Sequence, residues 1–298
     1  MRKFLLLAIA AYAANLMTYA QTCLDDALAY RVKNEAFNNS KIEDLSQFMT
    51  DDLGPRLAAS KMKLRAEKMV INKLEELGLS NPRAEFAFEF AKGGWDNEKN
   101  YVAMTAPYYC SFAANPKAWS GSTDGLVKGE CVVIDVKEKA DLEKYKGKLA
   151  GKIVLMPVQQ TYEIRFDPLA SRYTDKELAE LEKDPRPANA RRHTMPSNWQ
   201  AMRELQNAID KMLREELVLA VVSGSGTFNV PSSRGVQYKQ GDPEPTPEIV
   251  LPIEDHGRMV RMLNKGQKVE MELDVKNSFT NNPQINNVIA EIPGSDPK

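Results

Sequence analysis

The sequence predicts an α+β fold, on three observations. Apolar residues recur at helical spacing over residues 61–77, which favours an amphipathic helix. Apolar and charged residues alternate over residues 83–90, which is typical of a strand with one buried face. From residue 131 to residue 275, short runs of β-branched residues alternate with short helical patterns, which indicates a compact β-rich α+β module.

Composition and charge exclude several classes of protein. The 298 residues are enough for one large domain or two smaller ones. With 43% hydrophobic and 27% charged residues, the composition is that of neither a disordered chain nor a membrane bundle. The formal net charge is -1 and no long Lys/Arg block occurs, so we expect no nucleic-acid partner.

Residues 1–20 have the features of a secretory signal peptide in the usual order. Arg2 and Lys3 supply a positive start, residues 4–17 are almost entirely apolar, and Ala20 offers a small residue for cleavage. Cys23 is not preceded by the small-residue pattern that marks a lipid anchor. We therefore expect an exported protein, periplasmic or extracellular, that has no membrane attachment after cleavage near Ala20.

Residues 21–118 are predicted to form a helical segment followed by a β-hairpin. Gly54-Pro55 forces a turn, and Ser60 is a natural N-cap for the helix that follows it. The predicted elements are helices over 25–37, 42–49 and 61–77 and strands over 83–90 and 101–105. The buried face of the first strand would carry Ala84, Phe86, Phe88 and Phe90.

Residues 119–280 are predicted to form a β-rich domain with a helical insertion over about 161–214. The insertion is charged and proline-rich, and helical patterns occur in it over 175–183 and 198–213. A short helix over 255–264 would have Asp255 as its N-cap. The strands predicted in this domain lie at 131–136, 152–157, 217–222, 249–252 and 268–275.

Residues 281–298 contain a short apolar run, Val288 to Ile292, which ends at Pro293-Gly294. This pattern predicts a buried strand followed by a turn. A single strand cannot bury both of its faces or pair its own backbone, so it either pairs with the preceding domain or begins a domain that is absent. The second interpretation is favoured, which makes this an orphan strand that opens a missing α/β domain.

The cysteines leave two alternatives open. Cys110 and Cys131 could form a disulfide in an oxidising compartment, and free, partly buried thiols fit the sequence equally well. The spacing of Cys23, Cys110 and Cys131 does not fit a zinc site, which needs closely spaced pairs.

Other candidates for chemistry each have a structural interpretation. His193 lies beside two arginines, which repel a cation, and His256 lies at a predicted helix start, where a structural role is favoured. Ser225 has Ser223 two residues before it and Thr227 two residues after it, where a nucleophile elbow needs glycines. The carboxylate pairs Asp51-Asp52 and Glu75-Glu76 are expected to be solvated surface charge or helix-capping charge. No catalytic, cofactor-binding or metal-binding residue is therefore assigned in this chain.

Four motifs occur in order along the chain, namely Thr50-Asp-Asp-Leu-Gly-Pro-Arg-Leu-Ala-Ala-Ser60, Leu74-Glu-Glu-Leu-Gly-Leu79, Gly147-Lys-Leu-Ala-Gly-Lys-Ile-Val-Leu155 and Asn287-Val-Ile-Ala-Glu-Ile-Pro-Gly-Ser295. Together they resemble the secreted zinc exopeptidases of metallopeptidase family 28, most of all the carboxypeptidase Q-like branch. The third motif is similar to the protease-associated domain that is inserted in this family. The fourth is similar to the segment where the α/β peptidase domain resumes.

The resemblance implies a hydrolase that uses two zinc ions to remove terminal residues or to split small peptides. In the family the zinc ligands and the general base follow beyond the point that corresponds to Lys298, so no residue of this chain matches a ligand. The resemblance therefore implies the non-catalytic N-terminal half of such an enzyme, inactive alone and without a cofactor, with peptides as substrates of the intact enzyme and a homodimer left open. The alternative is a stand-alone exported protease-associated-domain protein that binds peptides or a partner chain.

Overall fold

The computed structural model describes residues 26–158, 166–168, 170–183, 198–226 and 235–294. The predicted signal peptide, Cys23 and His193 lie outside these residues. The described chain contains helices, one eight-stranded mixed sheet and a separate two-stranded sheet, which confirms the predicted mixture of α and β structure. No helix in these ranges is long and apolar enough to cross a membrane.

Three helical segments open the described chain. Residues 26–38 form α1, Ile42–Gln47 form α2, which runs into a π-helical turn at Phe48–Asp52, and Lys61–Glu76 form α3. The Ser60 hydroxyl accepts a hydrogen bond from the backbone N–H of Lys63 at 3.0 Å, so Ser60 caps α3 as predicted.

Three further helices lie within or after the predicted insertion. Helix α4 spans Asp175–Lys183 and α5 spans Trp199–Glu215, close to the two helices predicted there. Helix α6 spans Ile253–Asn264, and the prediction that Asp255 caps it is wrong. Pro252 occupies the N-cap position instead, because the helix begins directly after the preceding strand ends at Leu251.

Ten strands and a short 3-10 helix complete the described fold. The 3-10 helix is Lys139–Lys144. The strands are β1 Ser80–Glu89, β2 Gly94–Ala106, β3 Cys110–Ser111, β4 Asn115–Pro116, β5 Val127–Val133, β6 Ile153–Leu155, β7 Ala220–Gly224, β8 Glu248–Leu251, β9 Glu270–Thr280 and β10 Gln284–Glu291.

The large sheet has the strand order β3-β2-β9-β5-β6-β7-β8-β4. Strands β5 to β8 pair in parallel, whereas β9 pairs antiparallel with both β2 and β5. Parallel strands need cover on both faces, and two of the three buried apolar clusters of the described residues accordingly include alternate residues of these strands. One of the two contains α6 residues such as Met259 with Leu155 and Leu251, and the other contains Ile209 and Leu213 of α5 with Val154 and Val221.

Strands β1 and β10 form the two-stranded sheet. They pair antiparallel, from Ser80 opposite Glu291 to Glu89 opposite Gln284. The predicted orphan strand is therefore wrong in one respect, since β10 has β1 as its partner. The predicted β-hairpin is also wrong, because β2 pairs with β9 and not with β1. Local periodicity identified these strands but carried no information on partners that lie about 190 residues apart.

The predicted buried face of β1 is not buried in this chain. Ala84 is exposed, and the side chains of Phe86 and Phe88 are 61% and 54% exposed. Phe90, which follows β1, is half-buried and packs beside Trp119. A sheet of two strands cannot cover its own face, so these side chains need another element to pack against. The large sheet runs through the boundary predicted between residues 118 and 119, since β2 and β5 belong to it together.

Candidate functional site

The first motif of the sequence meets the start of β2 at the junction of the two sheets. An added Cβ at Gly94 would lie 2.0 Å from the backbone oxygen of Ala59, so the two chain segments touch through their backbones. Ala59 has a φ of 59° and is 1% exposed. A non-glycine residue in the left-handed region is uncommon, and here the close packing against Gly94 holds it in place.

The amino end of α3 is fixed by β2 as well as by Ser60. The Asp96 carboxylate accepts hydrogen bonds from the backbone N–H groups of Lys61 at 2.9 Å and Met62 at 3.3 Å. These are two of the N–H groups that a helix leaves without partners in its first turn, and a carboxylate there also interacts favourably with the helix dipole. The first turn of α3 is therefore bonded to β2 at this junction.

Two tryptophans close the junction. Trp95 donates from Nε1 to the backbone oxygen of Ser120 at 3.0 Å, and Trp119 donates from Nε1 to the backbone oxygen of Gly93 at 3.1 Å. The Lys92 ammonium lies 4.5 Å from the centre of the Trp119 ring, and burial lowers the pKa of this lysine. Trp95 thus joins β2 to the loop at Ser120, and Trp119 joins that loop to the connection between β1 and β2.

A recess of about 230 Å³ lies between α5 and the segment 236–248. Its polar lining includes Asp210 and Arg214 of α5, Tyr238, Asp242 and Glu248. Binding sites for drug-sized ligands usually measure about 300 to 1,000 Å³, so this recess suits a smaller group.

The carboxylates in this recess already have partners in the chain. Gln206 donates to Asp210 Oδ1 at 2.7 Å, and Lys117 Nζ lies 2.9 Å from Glu248 Oε2. Burial raises the pKa of Asp210, and the Gln206 hydrogen bond opposes that rise. The described residues of this recess suit hydrogen bonding to a small polar group and include no pair of nucleophile and base.

His256 is a core residue, as its predicted structural role requires. It is 1% exposed, and an added Cβ at Gly224 would lie 2.8 Å from its Nδ1. Its Nε2 is buried without a hydrogen-bond partner among the described residues. Burial lowers the pKa of His256 to about 4, against the opposing effect of the Met156 and Val222 carbonyls. The ring is therefore neutral at pH 7.

The described cysteines are both free. Cys110 lies on β3 and Cys131 on β5, and strands β2 and β9 separate them. Three strand spacings of about 4.8 Å amount to about 14 Å, whereas the Cα atoms of a disulfide lie within about 7 Å. Of the two alternatives, the structure therefore supports free thiols. The Arg258 Nη2 group donates to Cys110 Sγ at 3.3 Å.

The remaining candidates stay apart from one another. Asp51, Asp52, Glu75 and Glu76 are all exposed, as predicted, and Ser225 directly follows β7. Over the described ranges, no group of three or more His, Cys, Asp and Glu residues could hold a metal ion.

Comparisons with known proteins identify the fold. No protein-family model matches the sequence, and no curated protein matches it either. The crystal structure of a peptidase M28 precursor from Shewanella amazonensis SB2B covers 91% of this chain, with a TM-score of 0.54 and 18% sequence identity. The chain has an M28-peptidase-like fold. At this level of identity the similarity shows the fold alone.

Two other solved structures match with lower scores. The aminopeptidase from Aneurinibacillus sp. strain AM-1 has a TM-score of 0.41 and 16% sequence identity. The match covers 84% of this chain and 47% of the aminopeptidase chain. The zinc aminopeptidase from Bacillus subtilis has a TM-score of 0.44 and 12% sequence identity. That match covers 84% of this chain and 46% of the zinc aminopeptidase chain. The chain spans 55% of the length of the Shewanella M28 peptidase precursor.

The sequence does not reveal the polar groups that join distant segments. Asp96 of β2 accepts hydrogen bonds from the first turn of α3, and the recess at Asp210 joins residues of α5 to a loop near residue 245. Isolated Asp and Glu residues occur throughout the chain, so nothing local distinguishes these from surface charge.

Proposed function

We propose that this chain is the non-catalytic N-terminal half of a secreted zinc exopeptidase of the aminopeptidase or dipeptidase type, in the carboxypeptidase Q-like branch. In this proposal, residues 26–90 and 284–294 belong to the peptidase domain, and the large sheet is the protease-associated domain inserted between them. The signal at residues 1–20 would direct export. The two zinc ions and the catalytic groups belong to polypeptide outside these 298 residues.

The observation that carries the proposal is the distribution of buried apolar residues. The segments 26–90 and 284–294 contribute just Leu53, Ala59 and Ala66 to the buried apolar residues of the described chain, and all others lie between residues 95 and 275. Yet these two segments form three helices and two strands with apolar side chains. Secondary structure without a core of its own needs additional surface to pack against.

The exposed side chains show where that surface is needed. Val32 and Phe37 on α1 are 60% and 84% exposed, and Phe86 and Phe88 on β1 are also more than half exposed. Exposed apolar side chains that form a patch are a feature of interaction surfaces. A second half of an α/β peptidase domain, packed on β1, β10 and the first helices, would bury them.

Sequencing the gene beyond codon 298 tests the proposal. We expect an H-x-D pattern on a strand about ten residues downstream, in phase or shifted by a frame change, as the resemblance implies. Unrelated sequence after a clean stop would contradict the proposal. It would favour an exported accessory protein that binds peptides or a partner chain.

A further inference from the structure

The recess between α5 and the segment 236–248 has walls that the fold holds in place. On one side, Leu213 of α5 is packed in a buried apolar cluster with Val221 of β7. On the other side, the backbone N–H of Val236 donates to the Ala118 oxygen at 2.9 Å. Small-molecule sites are usually formed before the ligand arrives, and a recess between packed and hydrogen-bonded segments meets that condition.

Two of the three carboxylates that line the recess are already engaged by the protein. Glu248 forms an ion pair with Lys117, at 2.9 Å between Oε2 and Nζ. Asp242 Oδ2 accepts a hydrogen bond from the backbone N–H of Lys239 at 2.9 Å, which closes a turn within the segment itself. The third carboxylate is Asp210 of α5. A ligand in the recess therefore meets its available negative charge at Asp210.

Asp210 and Arg214 bring opposite charges to the recess without pairing with each other. They are four residues apart on α5, so they lie on the same helix face with Cβ atoms about 5–6 Å apart. Gln206 donates to Asp210 Oδ1 at 2.7 Å, and among the described residues no hydrogen bond reaches the other oxygen. In the same part of the chain, Arg214 has no ion-pair partner. The recess thus offers an acceptor for an ammonium group and a donor for a carboxylate.

We propose that this recess binds a free α-amino acid with an apolar side chain. The ammonium group would pair with the open oxygen of Asp210, and the carboxylate with the Arg214 guanidinium, whose planar fork matches a carboxylate. The apolar side chain would pack against Val221, Pro243 and Pro245, which also line the recess. At about 230 Å³ the recess is below the usual range for drug-sized ligands, and this size suits a single amino acid.

Other classes of small ligand fit the lining less well. Inorganic phosphate would meet more carboxylates than guanidinium groups, and like charges brought together are destabilising. A divalent metal ion needs several converging ligands, and no group of three or more His, Cys, Asp and Glu residues in the described ranges could hold one. The amino end of a longer peptide would use Asp210 and leave Arg214 without a partner. A free amino acid uses both side chains.

This site does not depend on the proposed function, since binding is measured on the 298-residue chain whatever follows codon 298. If the chain is half of an exopeptidase, a free amino acid is also a product of the intact enzyme, and the recess would then be a product-binding site. Sequencing the gene tests the proposed function and ligand binding tests the recess, so each can fail without the other.

Saturation-transfer NMR of the purified 298-residue chain, titrated with L-leucine, tests the proposal. We expect saturable binding at one site per chain. L-Leucinamide lacks the carboxylate and N-acetyl-L-leucine lacks the ammonium group. Each should bind more weakly by about tenfold or more, because each leaves one of the two charged side chains without its partner.

Substitutions on α5 show which side chain recognises which group. Asp210→Asn should weaken leucine binding by about tenfold or more and abolish the discrimination against N-acetyl-L-leucine. Arg214→Gln should weaken leucine binding as much and abolish the discrimination against L-leucinamide. Glu215→Gln and Lys211→Gln are the matched controls, because these two side chains form an exposed pair at 3.7 Å and do not line the recess. Both controls should bind leucine as the unsubstituted chain does.

Three results would overturn the proposal. One is the absence of leucine binding at millimolar concentrations while circular dichroism shows the chain to be folded. Another is equal affinity for leucine and L-leucinamide, which is the result expected if the recess takes the amino end of a peptide. The third is an equal loss of affinity in the two control variants, since binding would then lie elsewhere on the chain.

Discussion

The side-chain amide of Asn286 donates a hydrogen bond to Glu67 Oε2 at 3.1 Å, which joins β10 to α3 across 219 positions of sequence. Glu67 is 7% exposed, and its other oxygen pairs with the Lys63 ammonium. A buried carboxylate is tolerated when its hydrogen bonds are satisfied, and these two partners satisfy this one. The pair therefore fixes the returning strand on the helix that follows the first motif.

Removing the Glu67 carboxylate should destabilise this junction. In Glu67→Ala, Lys63 and Asn286 lose their acceptor in a partly buried site, which we expect to cost about 1–3 kcal/mol in the free energy of unfolding measured with urea. The control is Glu76→Ala in the same helix, whose ion pair with Lys73 is exposed and should change the stability by less than about 0.5 kcal/mol. A double-mutant cycle with Asn286→Ala should give a clear coupling energy, and strict additivity would contradict the contact.

The backbone contact at Gly94 predicts a large effect from a small substitution. A Cβ there would lie 2.0 Å from the Ala59 oxygen, so Gly94→Ala should cost on the order of 2–4 kcal/mol in thermal or urea unfolding. In Gly257→Ala the nearest atom is the flexible Arg261 guanidinium at 3.1 Å, within α6. Because alanine favours helix, that control should be neutral or stabilising by up to about 1 kcal/mol. Equal effects of the two substitutions would contradict the close approach.

His256 predicts a pH dependence of stability with a definite sign. Above about pH 6.5 the imidazole is neutral in both the folded and the unfolded chain, so its contribution is constant. Between about pH 6.5 and 4 the unfolded chain binds the proton and the folded chain does not. The free energy of unfolding therefore decreases as the pH is lowered through this range. Below about 4 both forms are protonated and the loss, roughly 3 kcal/mol, is complete.

Urea unfolding of the protein and of His256→Gln over pH 7.5 to 4 measures this effect. The difference in the free energy of unfolding between the two proteins should change by about 3 kcal/mol between pH 6.5 and 4. Taking the difference removes the contribution of the carboxylates, which both proteins share. No pH-dependent difference would show that His256 titrates normally and is not buried.

The two described cysteines should differ in reactivity. Cys131 is 4% exposed, and burial raises the pKa of its thiol to about 12, whereas Cys110 is half-buried at the end of the sheet. Because the thiolate is the reactive form, an alkylating reagent should modify Cys110 well before Cys131 at pH 8, as followed by peptide mass spectrometry. A disulfide-linked peptide containing both cysteines would contradict the strand order.

Local patterns predicted much of the secondary structure and little of the pairing. The helix capped by Ser60, the two helices of the insertion and the strand near residue 220 follow from periodicity and capping residues. The partners of β1 and β2 do not follow from local patterns. They lie about 165 to 210 residues away along the chain, and neither strand carries a mark of its partner. The exposed state of Phe86 and Phe88 was missed for the same reason, since alternation shows that a strand has an apolar face but not what covers it.

Of the candidate chemistry, residue type and spacing predicted the structural role of His256 and the surface position of the paired carboxylates. The contacts of Asp96 and Asn286 depend on segments that only folding brings together. Such long-range polar contacts have no local signal in one sequence.

We propose above that this chain is the non-catalytic half of a zinc exopeptidase. The most direct test of that proposal is the hydrolysis of dipeptides and chromogenic aminoacyl substrates by the purified 298-residue chain, with zinc supplied and then removed by a chelator. We predict no rate above the protein-free baseline in either condition. Hydrolysis that elutes with the chain, and is lost on chelation and restored by zinc, would contradict the claim.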